Sequence, residues 1–397
     1  MLGTDTPDPI GGSESTPSSD VKVFFTGTHR VRRPEQTWAL IAPMLEKFGI
    51  TRIADVTGLD TLGVPVAMAV RPLAKSLSVS QGKGRTKLLA KISAAMEAIE
   101  LWHAENTKKA ITYPQTPGRA LNLPYRIGDL ASGPDALVTD TILLDWGECV
   151  GMLSGRAVPV PSELVALNGH DKRRWSPAGL KWSSNGLASG NSRKEASLHA
   201  LYEVVERDAL SRQPRSASPE YVDPASIADV ACSSLVKSIM ATGASLTINR
   251  LTNRFGVPCF GAKVWSTDFP VVCLGWGAHL DPHVAVSRAI TEAAQSRLTA
   301  ITGSRDDLPP IYRPGHWEVS NFTPRQGTVV PWDELAAEGP TPSVDLGAEL
   351  DWICQRVQQV TGTEPLLADL STATEFAVVK VIVPGAALDG ERVHPRL

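Results

Sequence analysis

Residues 191–210, NSRKEASLHALYEVVERDAL, read as a helix whose acids stand where a solvated face would not put them. At about 100° per residue, Glu195, Glu203 and Glu206 share an arc of about 80° with His199 between them, while Leu198, Leu201 and Val205 supply the apolar side. The acids flank the buried stripe instead of opposing it. A second stretch, TKLLAKISAAMEAIELWHAEN, repeats the arrangement: Ser93, Glu97 and Glu100 lie within about 60° of one another, beside Leu89, Ile92, Met96 and Ile99. Each helix follows a glycine-rich turn, SQGKG or LASGN, that lets a polyanion come close. Taken singly these glutamates are ordinary, because Ser192 and Glu195 match an S-x-x-E capping box and exposed glutamate is a good helix former. Two such helices in one chain point instead to a shared cleft. Crowded, partly buried carboxylates need a compensating cation, and magnesium held by oxygen ligands and carried by a nucleoside triphosphate is the economical one. QGKGRT is not a G-x4-G-K-[ST] phosphate loop, since Gly84 follows Lys83. The expected fold is α/β, with mixed α and β layers and the two glutamate helices side by side against sheet, closing a nucleotide cleft.

The rest of the chain bounds the architecture. Its 397 residues, 42% apolar and 20% charged, are ordinary for a globular protein. A net charge of −3 offers no field for nucleic acid or an anionic membrane. Cys149, Cys232, Cys259, Cys273 and Cys354 show no zinc or disulfide spacing, which fits a reducing cytoplasm. No signal peptide or long apolar span is present in the sequence. Residues 1–20 have little to bury and are expected to form a disordered tail; 21–390 form one catalytic domain, with an irregular insertion at about 113–180, and 391–397 a C-terminal tail. VKVFF, VPVAMAVRP and EFAVVKVIV read as strands, and so do the stretches SLTINRLTNRFGVPCFGAKVW and FPVVCLGWGAHL. PEQTWALIAPMLEKFG, HVAVSRAITEAAQSRLTAI and LGAELDWICQRVQQVTG read as helices.

GKGRTKLLAKISAAMEAIE and GLASGNSRKEASLHALYEVVERDAL resemble the two signature segments of the YcaO family, S-x3-E-x2-E and N-x3-E-x7-E-x2-E-R. The resemblance covers about residues 21–390 and implies binding of ATP and Mg2+ by Ser93, Glu97, Glu100, Asn191, Glu195, Glu203, Glu206 and Arg207. SRAITEAAQSRL is similar to a later R-x3-E-x2-Q-x-R helix of the family, adding Arg288, Glu292, Gln295 and Arg297, and GTHRVRRPEQT places a basic residue and a hydroxyl on Arg30 and Thr37. Glu97, Glu100, Glu195, Glu203 and Glu206 are the implied metal ligands. Arg207, Arg297 and Glu206 are the implied catalytic groups, the arginines aiding phosphate. His199 is a candidate base whose competing reading is structural. The thiols are candidate sulfur relays but read more simply as core residues.

Family members phosphorylate a peptide-bond oxygen. A Cys, Ser or Thr side chain then gives an azoline, external sulfide a thioamide. GTHR, ITRIADVTGLDTLGVPVAMAVRP, SLSVSQGKG, WHAE and QSRLTAITGSRDDL look most like the members that work beside a TfuA-type partner. Azoline formers often end in P-x-P-x-P, whereas GERVHPRL carries only Pro395. The resemblance therefore implies sulfur insertion into a ribosomally made peptide or protein, with a sulfide donor, a TfuA-type partner and a homodimer. An azoline-forming cyclodehydratase and a non-catalytic ATP- and peptide-binding subunit are the alternatives.

Overall fold

The computed structural model describes residues 20–107, 111–130, 138–167, 179–180, 183–213, 220–305, 327–336 and 340–388. The expected tails, apart from Asp20, and part of the expected insertion lie outside these residues. VKVFF is extended but is not a strand, since it makes only the isolated bridges Val21 to Asp345 and Phe24 to Arg30. The first helix, α1 (Pro34–Ile41), is shorter than its pattern predicts: Pro43 lacks an amide hydrogen, and the chain continues as 3-10 turns to Gly49 in the left-handed region. A three-stranded antiparallel sheet follows, made of β1 (Arg52–Asp55), β2 (Val66–Val70) and β3 (Val79–Lys83) in that order. Met68 of β2 stands opposite Gln81 of β3. The helix α2 (Lys87–Asn106) begins at Thr86, whose hydroxyl accepts from Leu89 N at 3.2 Å.

The stretch expected as an insertion supplies β4 (Tyr113–Pro117), β5 (Leu143–Gly151) and β6 (Ala157–Pro161). These belong to a six-stranded sheet, because β5 also pairs with a strand from the chain's end. After β7 (Leu187–Gly190) comes α3 (Arg193–Ser211), capped by Ser192. Then follow β8 (Glu220–Val222), α4 (Val230–Ala241), β9 (Ser245–Arg250), β10 (Cys259–Trp265), β11 (Cys273–Ala278) and α5 (Pro282–Thr302). The described chain closes with β12 (Thr328–Val330), α6 (Trp332–Ala336), α7 (Leu346–Thr361), β13 (Leu366–Asp369) and β14 (Ala377–Ile382). The six-stranded sheet has the order β4-β5-β13-β14-β7, with β6 beside β5; the third sheet runs β11-β10-β9-β8-β12, its β8 and β12 parallel. This is the expected mixture of α and β layers.

Three strand-to-helix units recur: β3 to α2, β7 to α3 and β11 to α5. In each a glycine lets the helix lie close on its strand, since a Cβ at Gly82, Gly190 or Gly275 would run into the backbone of Ala94, Ala196 or Ala293. Small residues consequently form the buried side of α2: Ala90, Ala94, Ala95 and Ala98 join Ile99 in a core with Trp146, Val160 and Val378. Leu89 and Ile92, read from the sequence as core, are only half-buried and border the cleft described next. A second core joins Leu198, Leu201 and Val205 of α3 to Ile353 and Val357 of α7. A third packs Ala285, Ala289 and Ala293 of α5 on Ile248 and Phe260. Among the described residues no helix is long and apolar enough to cross a membrane.

Candidate active site

A cleft of about 530 Å³ opens where the three glycine-backed helices converge. Ser93, Glu97 and Glu100 of α2 line it, as do Glu195, His199, Glu203, Glu206 and Arg207 of α3, and Arg288, Glu292 and Gln295 of α5. Asn191, Arg30 and Thr37 line it too, so that of the expected residues only Arg297 is missing from the lining. The helical spacings explain this convergence, because each group of residues repeats at three or four positions.

Backbone and side-chain donors fix the acids. Glu100 Oε1 accepts from Ser189 N at 2.8 Å and Ser189 Oγ at 2.5 Å, tying α2 to β7. Glu195 accepts from Asn191 N at 3.1 Å, Asn191 Nδ2 at 3.0 Å and Val31 N at 2.9 Å, with Arg30 Nε at 3.4 Å. Thr37 Oγ1 donates to Asn191 Oδ1 at 2.7 Å. The N-terminal loop is thereby fastened to the start of α3.

The electrostatics separate an acidic pole from a basic one. Burial, with the charges of Glu97 and Glu203, pushes the Glu100 carboxyl up to about 8 despite its Ser189 bonds. Burial and Glu292 raise Glu206 to about 7 against Arg207 and Arg288, and burial also raises Glu203. Glu292 behaves differently: burial would raise it, but Lys83, bonded to its Oε2, together with Arg207 and Arg288, holds it below the ordinary value. Burial and then Arg288, Arg30 and Lys83 drive His199 well below its ordinary value, so the ring is neutral and its Nδ1 accepts from Arg288 Nη2 at 3.1 Å. His199 thus holds Arg288, and its low proton affinity counts against a general base.

Arg297 departs from its expected role. Nine residues beyond Arg288, it lies about half a turn round α5 and faces away from the cleft. Its side chain is 2% exposed; Nε donates to Asp60 Oδ1 at 2.9 Å, Nη1 to Ser266 Oγ at 2.7 Å and Nη2 to Asp268 Oδ1 at 3.2 Å. It is a buried structural ion pair. None of the five thiols lines the cleft: all are free and buried, and burial pushes Cys273 and Cys354 up to about 12 and raises Cys232 and Cys259 as well. Sequence reasoning undervalued Lys83. The signal was the period of two along β3, which puts Gln81 and Lys83 on the α5 side and Gly82 under α2.

The residues fit magnesium and a triphosphate. Glu97, Glu100, Glu203 and Glu206 bring carboxylate oxygens to one cleft, which Lys83, Arg30 and Arg288 also line. Among the described residues no three carboxylate, histidine or cysteine groups form a metal site by themselves.

Known proteins resemble this chain in sequence and in fold. A Mycobacterium tuberculosis protein is 38% identical over 369 residues, covering 91% of this chain and 83% of its own. A Rhizobium leguminosarum bv. trifolii protein named for its place in the tfuA 3' region is 37% identical over 384 residues, covering 91% and 89%. The structure of YcaO from Methanopyrus kandleri bound with AMPPCP and Mg2+ superposes with a TM-score of 0.73 at 24% identity, over 95% of this chain and 99% of that one. Residues 81–387 match the family described as YcaO cyclodehydratase, ATP- and Mg2+-binding, and this chain belongs to that ATP-dependent YcaO family.

Proposed function

We propose that this protein uses Mg2+ and ATP to phosphorylate a peptide backbone amide oxygen and replaces that oxygen with sulfur, working with a TfuA-type partner. The observation that carries the reading is the relative in the tfuA 3' region, which matches nearly the whole chain. The overall step balances: amide, ATP and hydrosulfide become thioamide, ADP and hydrogen phosphate. The γ-phosphorus bonds to the amide oxygen, sulfur bonds to the amide carbon, and the carbon–oxygen bond breaks as phosphate departs with the hydrosulfide proton.

Amide oxygen is a weak nucleophile and a poor leaving group, so alignment and charge neutralisation carry the catalysis. Glu97, Glu100, Glu195, Glu203 and Glu206 would hold magnesium, which supplies positive charge against the transferring phosphoryl oxygens. Lys83, Arg30 and Arg288 bind phosphate oxygens, Arg288 being oriented by His199. Ser93, Thr37, Asn191 and Gln295 shape the nucleotide cleft, and Arg207 neutralises charge beside Glu206. A cytoplasmic homodimer completes the proposal; the five free, buried thiols support a reducing compartment.

The family description as a cyclodehydratase favours a second reading, azoline formation on Cys, Ser or Thr. A substrate peptide with all three residue types replaced separates the two. Given ATP, sulfide and the TfuA-type partner, sulfur insertion predicts a mass gain for exchange of oxygen by sulfur. An unmodified substituted peptide, with water lost from its Cys-containing parent in the absence of sulfide, would establish the cyclodehydratase reading instead.

A further inference from the structure

Arg85 lines the end of the cleft formed by Thr26, Gly27, Thr28 and Ser287, and its surroundings differ from those of the other cleft cations. Gly27, at φ +69°, lays the N-terminal loop across the arginine stem, where a Cβ would sit 2.7 Å from Arg85 Cγ. Nη2 donates to Ser234 Oγ of α4 at 2.9 Å. The guanidinium is thus held from two sides. Its Nη1 is buried, yet has no hydrogen-bond partner, and no carboxylate among the described residues reaches ion-pair distance. By contrast Lys83 pairs with Glu292, Arg30 with Glu195, Arg207 with Glu206, Arg288 rests on His199, and Arg32 Nη1 donates to the Glu375 carbonyl at 2.6 Å.

The side chain is half-buried, but a charged donor nitrogen shut off from solvent without an acceptor is costly unless a ligand supplies one. Position separates this donor from the acidic pole. Lys83, Arg207 and Arg288 are the cations acting on Glu292, whereas Arg85 acts on Cys232 of α4. Arg85 lines the cleft with Thr26, Thr28 and Ser287 while its Nη2 reaches Ser234 of α4, so an anion at its Nη1 would be held by a cation that is bonded neither to Glu292 nor to His199. A weakly hydrated guanidinium suits a soft, singly charged anion, and threonine and serine residues line the same end.

We propose that Arg85 is the docking point for the anionic sulfur nucleophile, hydrosulfide, before it attacks the activated amide carbon. This rests on the sulfur-insertion reading. The site answers a need of that reaction, since an external nucleophile lacks the proximity of a neighbouring side chain and must be concentrated at the reacting carbon. The bonds made and broken are those of the overall step above; Arg85 keeps its proton and contributes charge and one donor.

The test uses the full chain, Mg–ATP and peptide, with sodium sulfide as the nucleophile and the partner omitted. Losing one charge-assisted hydrogen bond in Arg85→Gln should raise the apparent KM for sulfide about tenfold or more. Arg85→Lys should recover part of it, and the Mg–ATP dissociation constant and kcat at saturating sulfide should change less than about twofold. Ser234→Ala, which removes only the anchor, should raise the sulfide KM more mildly and provides the test if Arg85→Gln does not fold. An unchanged sulfide KM overturns the assignment, and an equal loss of Mg–ATP affinity assigns Arg85 to the triphosphate instead. If the wild-type chain makes no thioamide at any sulfide concentration even after the TfuA-type partner is added, the sulfur-insertion reading fails first and takes this inference with it. A wild-type chain that does so, beside unaffected variants, removes only the role of Arg85.

Discussion

Lowering the pH should weaken Mg–ATP binding steeply, and the raised carboxyls of the acidic pole set the size of the effect. A ligand carboxylate must lose its proton to meet the metal, so every pH unit below its pKa costs about 1.4 kcal/mol, or tenfold in affinity. Glu100 at about 8 and Glu206 at about 7 are both largely ionised at high pH and largely protonated near pH 6. Passing from about pH 9 to pH 6 therefore costs about 100-fold through Glu100 and about tenfold through Glu206. Because the two feel a common cluster of charge, the product of about 10³ is an upper bound. Isothermal calorimetry with a non-hydrolysable ATP analogue and Mg2+, repeated in buffers of different ionisation enthalpy, reads both the affinity and the protons released. Without ligand the sign reverses. A raised carboxyl means that the folded state binds more protons than the unfolded one, so Glu100 makes stability fall as pH rises from about 4.5 to about 8, while the depressed His199 opposes this until the unfolded imidazole, at 6.5, has titrated. Affinity independent of pH, or rising as pH falls, would refute the assignment of these acids to the metal. Glu100→Gln should flatten most of the profile.

Arg297→Met should leave Asp60 buried without its partner and destabilise the fold by about 3–5 kcal/mol, read by denaturant unfolding, while the folded protein keeps its Mg–ATP affinity. A drop in affinity without a drop in stability would return Arg297 to the site. Lys83→Met removes the cation nearest Glu292 and one phosphate donor, so Mg–ATP binding should weaken about tenfold or more in the same calorimetric assay. Gly82→Ala forces a methyl group into the backbone of α2 at Ala94; a loss of about 1–3 kcal/mol or more is expected, and an unchanged melting temperature would show that the close strand–helix approach is not needed.

The acids of the cleft were legible because they lie on long helices, where spacing alone determines which residues share a face. Glu97 and Glu100, or Glu203 and Glu206, needed no tertiary information to be grouped. The same rule, applied fully, would have excluded Arg297, which sits about 180° round the helix from Arg288. Residue size misled elsewhere. Leu89 and Ile92 looked like the core side of α2, but glycine in β3 brings the strand so near that alanines fill that side. What local sequence does not carry is pairing between distant segments. Lys22 and Glu349 form a buried ion pair at 2.6 Å, and β5 meets β13 only in the assembled sheet. These contacts are selected by the whole fold, and they explain why VKVFF is docked without being a strand.

In sulfur insertion the amide oxygen leaves on phosphate while sulfur takes its place. A peptide carrying isotopically heavy oxygen at the target amide, incubated with the enzyme, Mg–ATP, sulfide and the TfuA-type partner, tests this most directly by mass spectrometry of both products. Heavy oxygen is expected in the released phosphate and a thioamide in the peptide, in equal amounts. Unlabelled phosphate, with the heavy oxygen still in the peptide, would contradict it.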